Sequence, residues 1–170
     1  MAELLIEFFS EEIPARMQLK AAEDLKSHMN AALTGLALEF SDLETYVTPR
    51  RLVCVVNDLT TQTKESREER RGPRVGSPEA AMAGFLKAAG VTQDQCVQKG
   101  DYWYATIIQK SRQAESLIPE LVRGLIRGFS WAKSMRWPGA TLSWVRPVRS
   151  ILCLLGGKPI IFEVPEFGLT

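Results

Sequence analysis

Four arginine-bearing motifs hold the residue types best suited to chemistry in this chain: Thr48-Pro49-Arg50-Arg51, Arg71-Gly72-Pro73-Arg74, Lys133-Ser134-Met135-Arg136-Trp137 and Trp144-Val145-Arg146-Pro147-Val148-Arg149. A guanidinium presents a planar fork of donors matched to phosphate and carboxylate, and a neighbouring proline or glycine fixes the backbone so that the fork points one way. In the last two motifs a tryptophan stands within one or two residues of an arginine. Indole stacks on a guanidinium or on a base, and arginine bridges phosphates. The candidate set is therefore Arg50, Arg51, Arg71, Arg74, Lys133, Arg136, Arg146 and Arg149. Two readings compete. The cations contact a nucleic-acid backbone, or they are held in internal ion pairs, with Glu7 and Glu11 as partners for Arg136 and Arg146, while Trp137 and Trp144 are core rings.

Groups that transform a substrate are sparse. The single histidine, His28, falls in the middle of a helical pattern, where it reads as a surface or edge residue rather than a base. One histidine without a paired-cysteine motif excludes the common zinc sites. No phosphate-binding loop, dinucleotide glycine pattern or Gly-x-Ser-x-Gly elbow occurs. Glu11 and Glu12 fall at a strand-to-helix junction, where they complement the positive end of a helix or partner an arginine of TPRR or WVRP. No catalytic residue and no metal ligand is assigned.

Net charge is +1 over 170 residues, but its distribution is uneven. Residues 121–162 hold seven basic side chains and no acid, whereas residues 1–120 carry a net −4. Such a local excess attracts polyanions, unless it is only a solvated face. Cys54, Cys96 and Cys153 are widely spaced, and two of them sit inside apolar runs. They read as buried thiols of a reducing compartment. The acidic start lacks a basic leader, and no apolar run approaches the ~20 residues that span a bilayer. The expectation is a cytoplasmic protein with no membrane partner.

The elements that position these residues follow from periodicity. Leu4 to Phe9 has the length of a buried strand. Met17, Ala21, Leu25, Met29, Ala32 and Leu36 recur at helical steps behind Pro14, predicting a helix over 14–34. Residues 44–47 and 52–59 read as strands joined at Pro49, which holds Arg50 and Arg51 at a hairpin turn. Eight of the eleven residues in 64–74 are charged, predicting a loop between lobes 1–63 and 75–170. Ser77 as N-cap, Pro78 in the first turn and terminal Gly90 bound a second helix. Residues 96–98 and 102–109 form a hairpin around Lys99-Gly100-Asp101. A third helix covers 115–129, with Pro119 tolerated only near its first turn. Residues 142–144, 148–155 and 159–164 read as strands, the last two joined at Gly156-Gly157-Lys158. The class is α+β: antiparallel strands and hairpins packed with about three amphipathic helices.

Lys99-Gly100-Asp101-Tyr102-Trp103-Tyr104 has a superficial likeness to the aromatic strand of an RNA-recognition motif, although Asp101 stands where an aromatic would follow the glycine. On a strand Tyr102 and Tyr104 share one face and Trp103 the other, so at least one side is core. The tyrosine face either packs or meets RNA or a partner.

Taken in order, Leu4-Leu5-Ile6-Glu7-Phe8-Phe9-Ser10-Glu11-Glu12-Ile13-Pro14, TPRRL, RGPR followed by Gly84-Phe85-Leu86, KSMRW and WVRPVRS resemble the beta subunit of bacterial two-subunit glycyl-tRNA synthetase. The resemblance implies an N-terminal fragment of a longer beta chain that takes part in ATP-dependent glycylation of tRNA. It implies partners as well: the alpha subunit, tRNA for glycine and the remaining beta-subunit domains. In that family the alpha subunit carries the class II active site, where ATP and Mg2+ are expected, and the beta subunit supplies most of the tRNA-binding surface of a heterotetramer. The HD-like and anticodon-binding domains of the family lie outside these residues. A non-catalytic region that supports tRNA binding and assembly is therefore expected, the alternative being a scaffold without RNA contact.

Overall fold

The computed structural model describes residues 1–169 and is α+β. Its strands are β1 (Ala2–Ser10), β2 (Asp42–Val47), β3 (Arg51–Leu59), β4 (Ser66–Arg74), β5 (Cys96–Lys99), β6 (Tyr102–Gln109), β7 (Val148–Leu155) and β8 (Lys158–Pro159). Its helices are α1 (Ala15–Gly35), α2 (Glu79–Ala89) and α3 (Ala114–Gly128). Two compact units emerge: residues 1–63 with 112–170, and residues 64–111. The division differs from the expected lobes 1–63 and 75–170, because the chain after Ser111 returns to the first unit. There Arg112 and Thr63 exchange hydrogen bonds, and Ala114 N–H donates to Thr61.

The larger unit is built on an antiparallel sheet of order β2-β3-β1-β7-β8. Alternation along β1 sends Leu4, Ile6 and Phe8 to the core, joined by Leu52, Cys54 and Val56 of β3. Against them α1 buries Met17, Ala21, Leu25, Met29 and Leu33, one residue per turn. The third helix buries Leu117, Ile118, Leu121, Val122, Leu125 and Ile126 in the same cluster. Pro119 lies inside this helix without ending it. The hydrogen bond it forfeits belongs to the carbonyl of Glu115, an exposed residue.

Two strand assignments fail here. Residues 142–144 make only an isolated bridge at Trp144, and pairing after the Gly156-Gly157 turn stops at Pro159. Ile160 N–H still reaches the Cys153 carbonyl at 2.9 Å, but the chain then leaves the sheet. Ile161 is 91% exposed, so its β-branched run is not evidence of a buried strand.

The smaller unit is a sheet of order β4-β6-β5 with α2 on one face. Ala89, Cys96 and Ala105 form its core, with Phe85, Leu86, Trp103 and Ile107 packed around them. Gly90, at φ 65°, ends α2 in the left-handed conformation expected of a terminal glycine. The charged run 64–74 is a strand over Ser66–Arg74 rather than a loop. As an edge strand it needs only one neighbour, and charged side chains on an edge discourage unwanted pairing. Its register with β6 shifts between Arg71 and Arg74, the interval holding Gly72 and Pro73. Proline is accommodated at such an irregularity because it cannot donate to the ladder.

Candidate nucleic-acid interface

Two of the four motifs meet at the end of β1 in the larger unit, and a third is bridged to one of them. Ser10 N–H donates to the Arg50 carbonyl at 2.9 Å, and Ile13 N–H donates to the Pro49 carbonyl at 2.6 Å. On the other side Glu11 N–H donates to the Pro147 carbonyl at 3.0 Å. The junction between β1 and α1 is thus clamped by TPRR and WVRPVR through main-chain bonds. Side chains close the same contact: Arg149 Nε donates to Glu11 at 2.7 Å, and Arg50 lies 3.6 Å from the other carboxylate oxygen. The hydrogen bond from Arg149 holds the Glu11 carboxyl below its ordinary range, against a smaller opposing effect of burial. Arg51 pairs with Glu7 at 3.3 Å, and the guanidinium carbons of Arg50 and Arg51 lie 4.8 and 4.7 Å from the centre of the Phe9 ring.

This geometry decides between the two readings of Glu11, in favour of an arginine partner from TPRR and WVRP, and corrects one expectation. Glu11 precedes α1, whose first turn holds no acid, so it serves arginines of two motifs rather than the helix end. Glu7 and Glu11 pair with Arg51, Arg50 and Arg149, not with Arg136 and Arg146. Arg146 is half-buried and donates to the Val145 carbonyl at 2.7 Å.

The third and fourth motifs are joined by a bridge of two hydrogen bonds. Met135 N–H donates to the Trp144 carbonyl at 2.7 Å, and Trp144 N–H returns one to Met135 at 3.0 Å. Trp144 is 2% exposed, with the rings of Phe8, Phe129, Trp131 and Phe167 centred 5.0–5.9 Å away. Trp137 packs on Phe167 at 5.5 Å. Trp144 is therefore a core ring, and Trp137 a partly buried ring packed against the core. Lys133 and Arg136 are exposed and have no hydrogen-bond or ion-pair partner among the described residues. The rest of the basic segment is partly neutralised: Arg127 pairs with Glu166 at 2.7 Å and Glu120 at 3.2 Å, while Arg123 donates to the Glu163 carbonyl.

The remaining motif, RGPR, belongs to the smaller unit. The Arg71 guanidinium lies 3.8 Å from the centre of the Tyr102 ring, and Arg74 pairs with Asp101 at 2.9 Å. Gly72 lies so close to Phe85 that an added Cβ would approach its ring to 2.7 Å. RGPR and Gly84-Phe85-Leu86 are thus two sides of one contact.

Other chemistry is limited. His28 lies edge-on to Phe129 at 5.5 Å, and its Nδ1 is buried without a hydrogen-bond partner among the described residues. It borders a groove of about 430 Å³ lined mainly by Ala31, Ala32, Leu117, Leu121 and Gly124. Among the described residues no group of three or more His, Cys, Asp or Glu side chains could hold a metal ion. Cys54 and Cys153 flank Ile6 across the sheet, two strand spacings or about 9.6 Å apart, beyond the span of a disulfide. Burial pushes both thiols up to about 12. Among the described residues no helix is long and apolar enough to cross a membrane.

Residues 4–168 match the family described as glycyl-tRNA synthetase beta subunit, and the chain belongs to that family. It is 49% identical to the glycine–tRNA ligase beta subunit of Ruegeria sp. (strain TM1040), covering 91% of this chain and 23% of that protein. The corresponding subunit of Paracoccus denitrificans (strain Pd 1222) is 44% identical, covering 99% and 26%. The chain spans about a quarter of the length of these curated relatives.

Proposed function

We propose that this chain is a non-catalytic region of a glycine–tRNA ligase beta subunit, working in the cytoplasm in ATP-dependent glycylation of tRNA. In this reading the alpha subunit carries the class II active site with ATP and Mg2+, and this region docks tRNA and supports assembly. Seven of the eight candidate cations divide between two duties. Lys133 and Arg136 contact the tRNA backbone. Arg50, Arg51, Arg146 and Arg149 hold the surface of the larger unit in shape, and Arg74 does the same within the smaller unit.

The observation that carries this reading is the Met135–Trp144 bridge. It turns Trp144 into the core and leaves the flanking Lys133 and Arg136 exposed with no carboxylate partner among the described residues. A cation left open in water is free to neutralise phosphate, whereas one already paired must first give up its carboxylate.

The test is fluorescence anisotropy of the chain with tRNA for glycine and an unrelated tRNA at two salt concentrations. Lys133→Ala/Arg136→Ala is expected to keep the melting temperature, weaken binding and lower the salt slope by about two. Unchanged affinity would remove the docking role. The second reading, a scaffold without RNA contact, is favoured by the Glu11 contact with arginines of two motifs. It predicts that the double variant binds the alpha subunit as the unaltered chain does and that neither binds tRNA at low salt.

A further inference from the structure

The face of the smaller sheet turned away from α2 has no role in the reading above. Its residues follow from register. Tyr104 stands opposite Arg71 on one side and Val97 on the other, Tyr102 stands opposite Lys99, and Thr106 and Ile108 stand opposite Glu69 and Arg67. Cross-strand partners share a face, so these side chains form one surface. Trp103, Ala105 and Ile107 point the other way into the core with α2. Within the smaller unit the tyrosine surface is open among the described residues: Arg67, Glu69, Arg71, Val97, Lys99, Thr106 and Ile108 are exposed, with Val97 at 58% and Ile108 at 52%.

The chemistry of this surface is specific in kind. Two half-exposed tyrosines occupy alternate positions of the central strand, about 6.8 Å apart along the chain, twice the rise of stacked bases. Cations flank both rings. The Arg71 guanidinium lies 3.8 Å from the centre of the Tyr102 ring, and Lys99 Nζ lies 5.7 Å from that of Tyr104. Lys99 also pairs with Glu69, and Arg67 with Glu65 at 3.3 Å, both pairs being open to solvent. Exposed pairs of this kind are worth little, so phosphate can replace the carboxylate. Arg71 has no carboxylate partner among the described residues. Flat rings for bases, beside cations spaced along an open face, are what an unpaired nucleic-acid strand requires.

We propose that the face of the β4-β6-β5 sheet bearing Tyr102 and Tyr104 binds a single-stranded stretch of RNA, with bases stacked on the two rings and phosphates held by Arg67, Arg71 and Lys99. Its residues are distinct from Lys133 and Arg136, so this site and the docking role proposed above stand or fall separately.

The test is anisotropy of the whole chain with a fluorescein-labelled oligouridylate of about 8 nucleotides and with an RNA duplex of equal length. Tyr102→Leu/Tyr104→Leu is expected to weaken binding of the single strand by about tenfold or more per ring, while Tyr102→Phe/Tyr104→Phe retains it. Arg71→Gln weakens it without altering the fold seen by circular dichroism. Lys133→Ala/Arg136→Ala leaves it unchanged. Equal affinity of the leucine variant and the unaltered chain overturns the proposal, as does equal affinity for duplex and single strand. Preference for a polyglutamate peptide over RNA assigns the face to an acidic protein and overturns it as well. Should the leucine variant unfold, Arg71→Gln decides, and undiminished affinity for the oligouridylate rejects the site.

Discussion

Replacing Trp144 with alanine separates architecture from recognition in the motif where the two are most easily confused. The indole is 2% exposed and is surrounded by four other aromatic rings, with Phe129 at 5.0 Å, Trp131 at 5.1 Å, Phe167 at 5.4 Å and Phe8 at 5.9 Å. A buried tryptophan of 150–250 Å² corresponds to about 4–6 kcal/mol of transfer free energy at ~25 cal/mol per Å², an upper bound. Observed truncations of this type cost about 3–5 kcal/mol once the surroundings relax. For a chain of this length each kcal/mol moves the melting temperature by about 2–4 °C, so Trp144→Ala should lower it by about 10 °C. Trp144→Phe keeps a ring in the cluster and should recover more than half of that loss. The assay is thermal unfolding by circular dichroism, run beside tRNA anisotropy at a temperature where both variants remain folded. An unchanged melting temperature together with lost tRNA affinity would refute the reasoning, because it would place the indole in recognition rather than in the core.

Two further outcomes follow from the same contacts. The Glu11 carboxyl is held below its ordinary value chiefly by the hydrogen bond from Arg149. A lowered folded-state pKa stabilises above the unfolded value, and that contribution is lost as pH falls through the folded one. The unaltered chain should therefore melt above Glu11→Gln near neutrality, and the gap should shrink as pH falls below the ordinary carboxylate range; a gap that persists in strong acid would exclude the ion pair as its cause. Gly72→Ala forces a Cβ to within 2.7 Å of the Phe85 ring. The overpacking should cost about 1–3 kcal/mol in the smaller unit. Adding Phe85→Leu should recover part of this cost in a double-mutant cycle read by hydrogen exchange.

Much of the fold is legible in the sequence because the larger unit obeys simple periods. The helical steps from Met17 through Met29 and the apolar run from Leu4 to Phe9 place helix and strand within a residue or two of where they lie, although the last buried position of the helix is Leu33 rather than Ala32 or Leu36. The failures have physical causes. In 64–74 charge density outweighs strand propensity, yet an edge strand can be charged throughout because one side of its backbone is solvated. In 160–163 Ile160, Ile161 and Phe162 look like a strand, but strand pairing ends at Pro159 and Ile161 stays exposed. The two-unit division is not legible either. It depends on the chain after Ser111 returning to residues 61–63, a contact that no local pattern announces.

The site is legible only in part, because sequence names the arginines without saying which atoms do the binding. Attention to the guanidinium forks misses that Pro49 and Pro147 contribute their carbonyls, each accepting a main-chain N–H from the β1–α1 junction. Proline suits this duty: its ring fixes φ, which removes one of the two backbone freedoms at that residue, and the donor it lacks is not needed there. The guanidiniums of Arg50 and Arg149 then reach the carboxylate of Glu11, whose own N–H is already held by Pro147. Side-chain pairing is therefore layered on a main-chain clamp, which explains why these arginines can be half-exposed and still have fixed positions. The same logic runs in reverse for Lys133 and Arg136. Their backbone is anchored by the Met135–Trp144 bridge, their side chains are not, and a cation anchored at its root but open at its tip is the kind that can meet a phosphate.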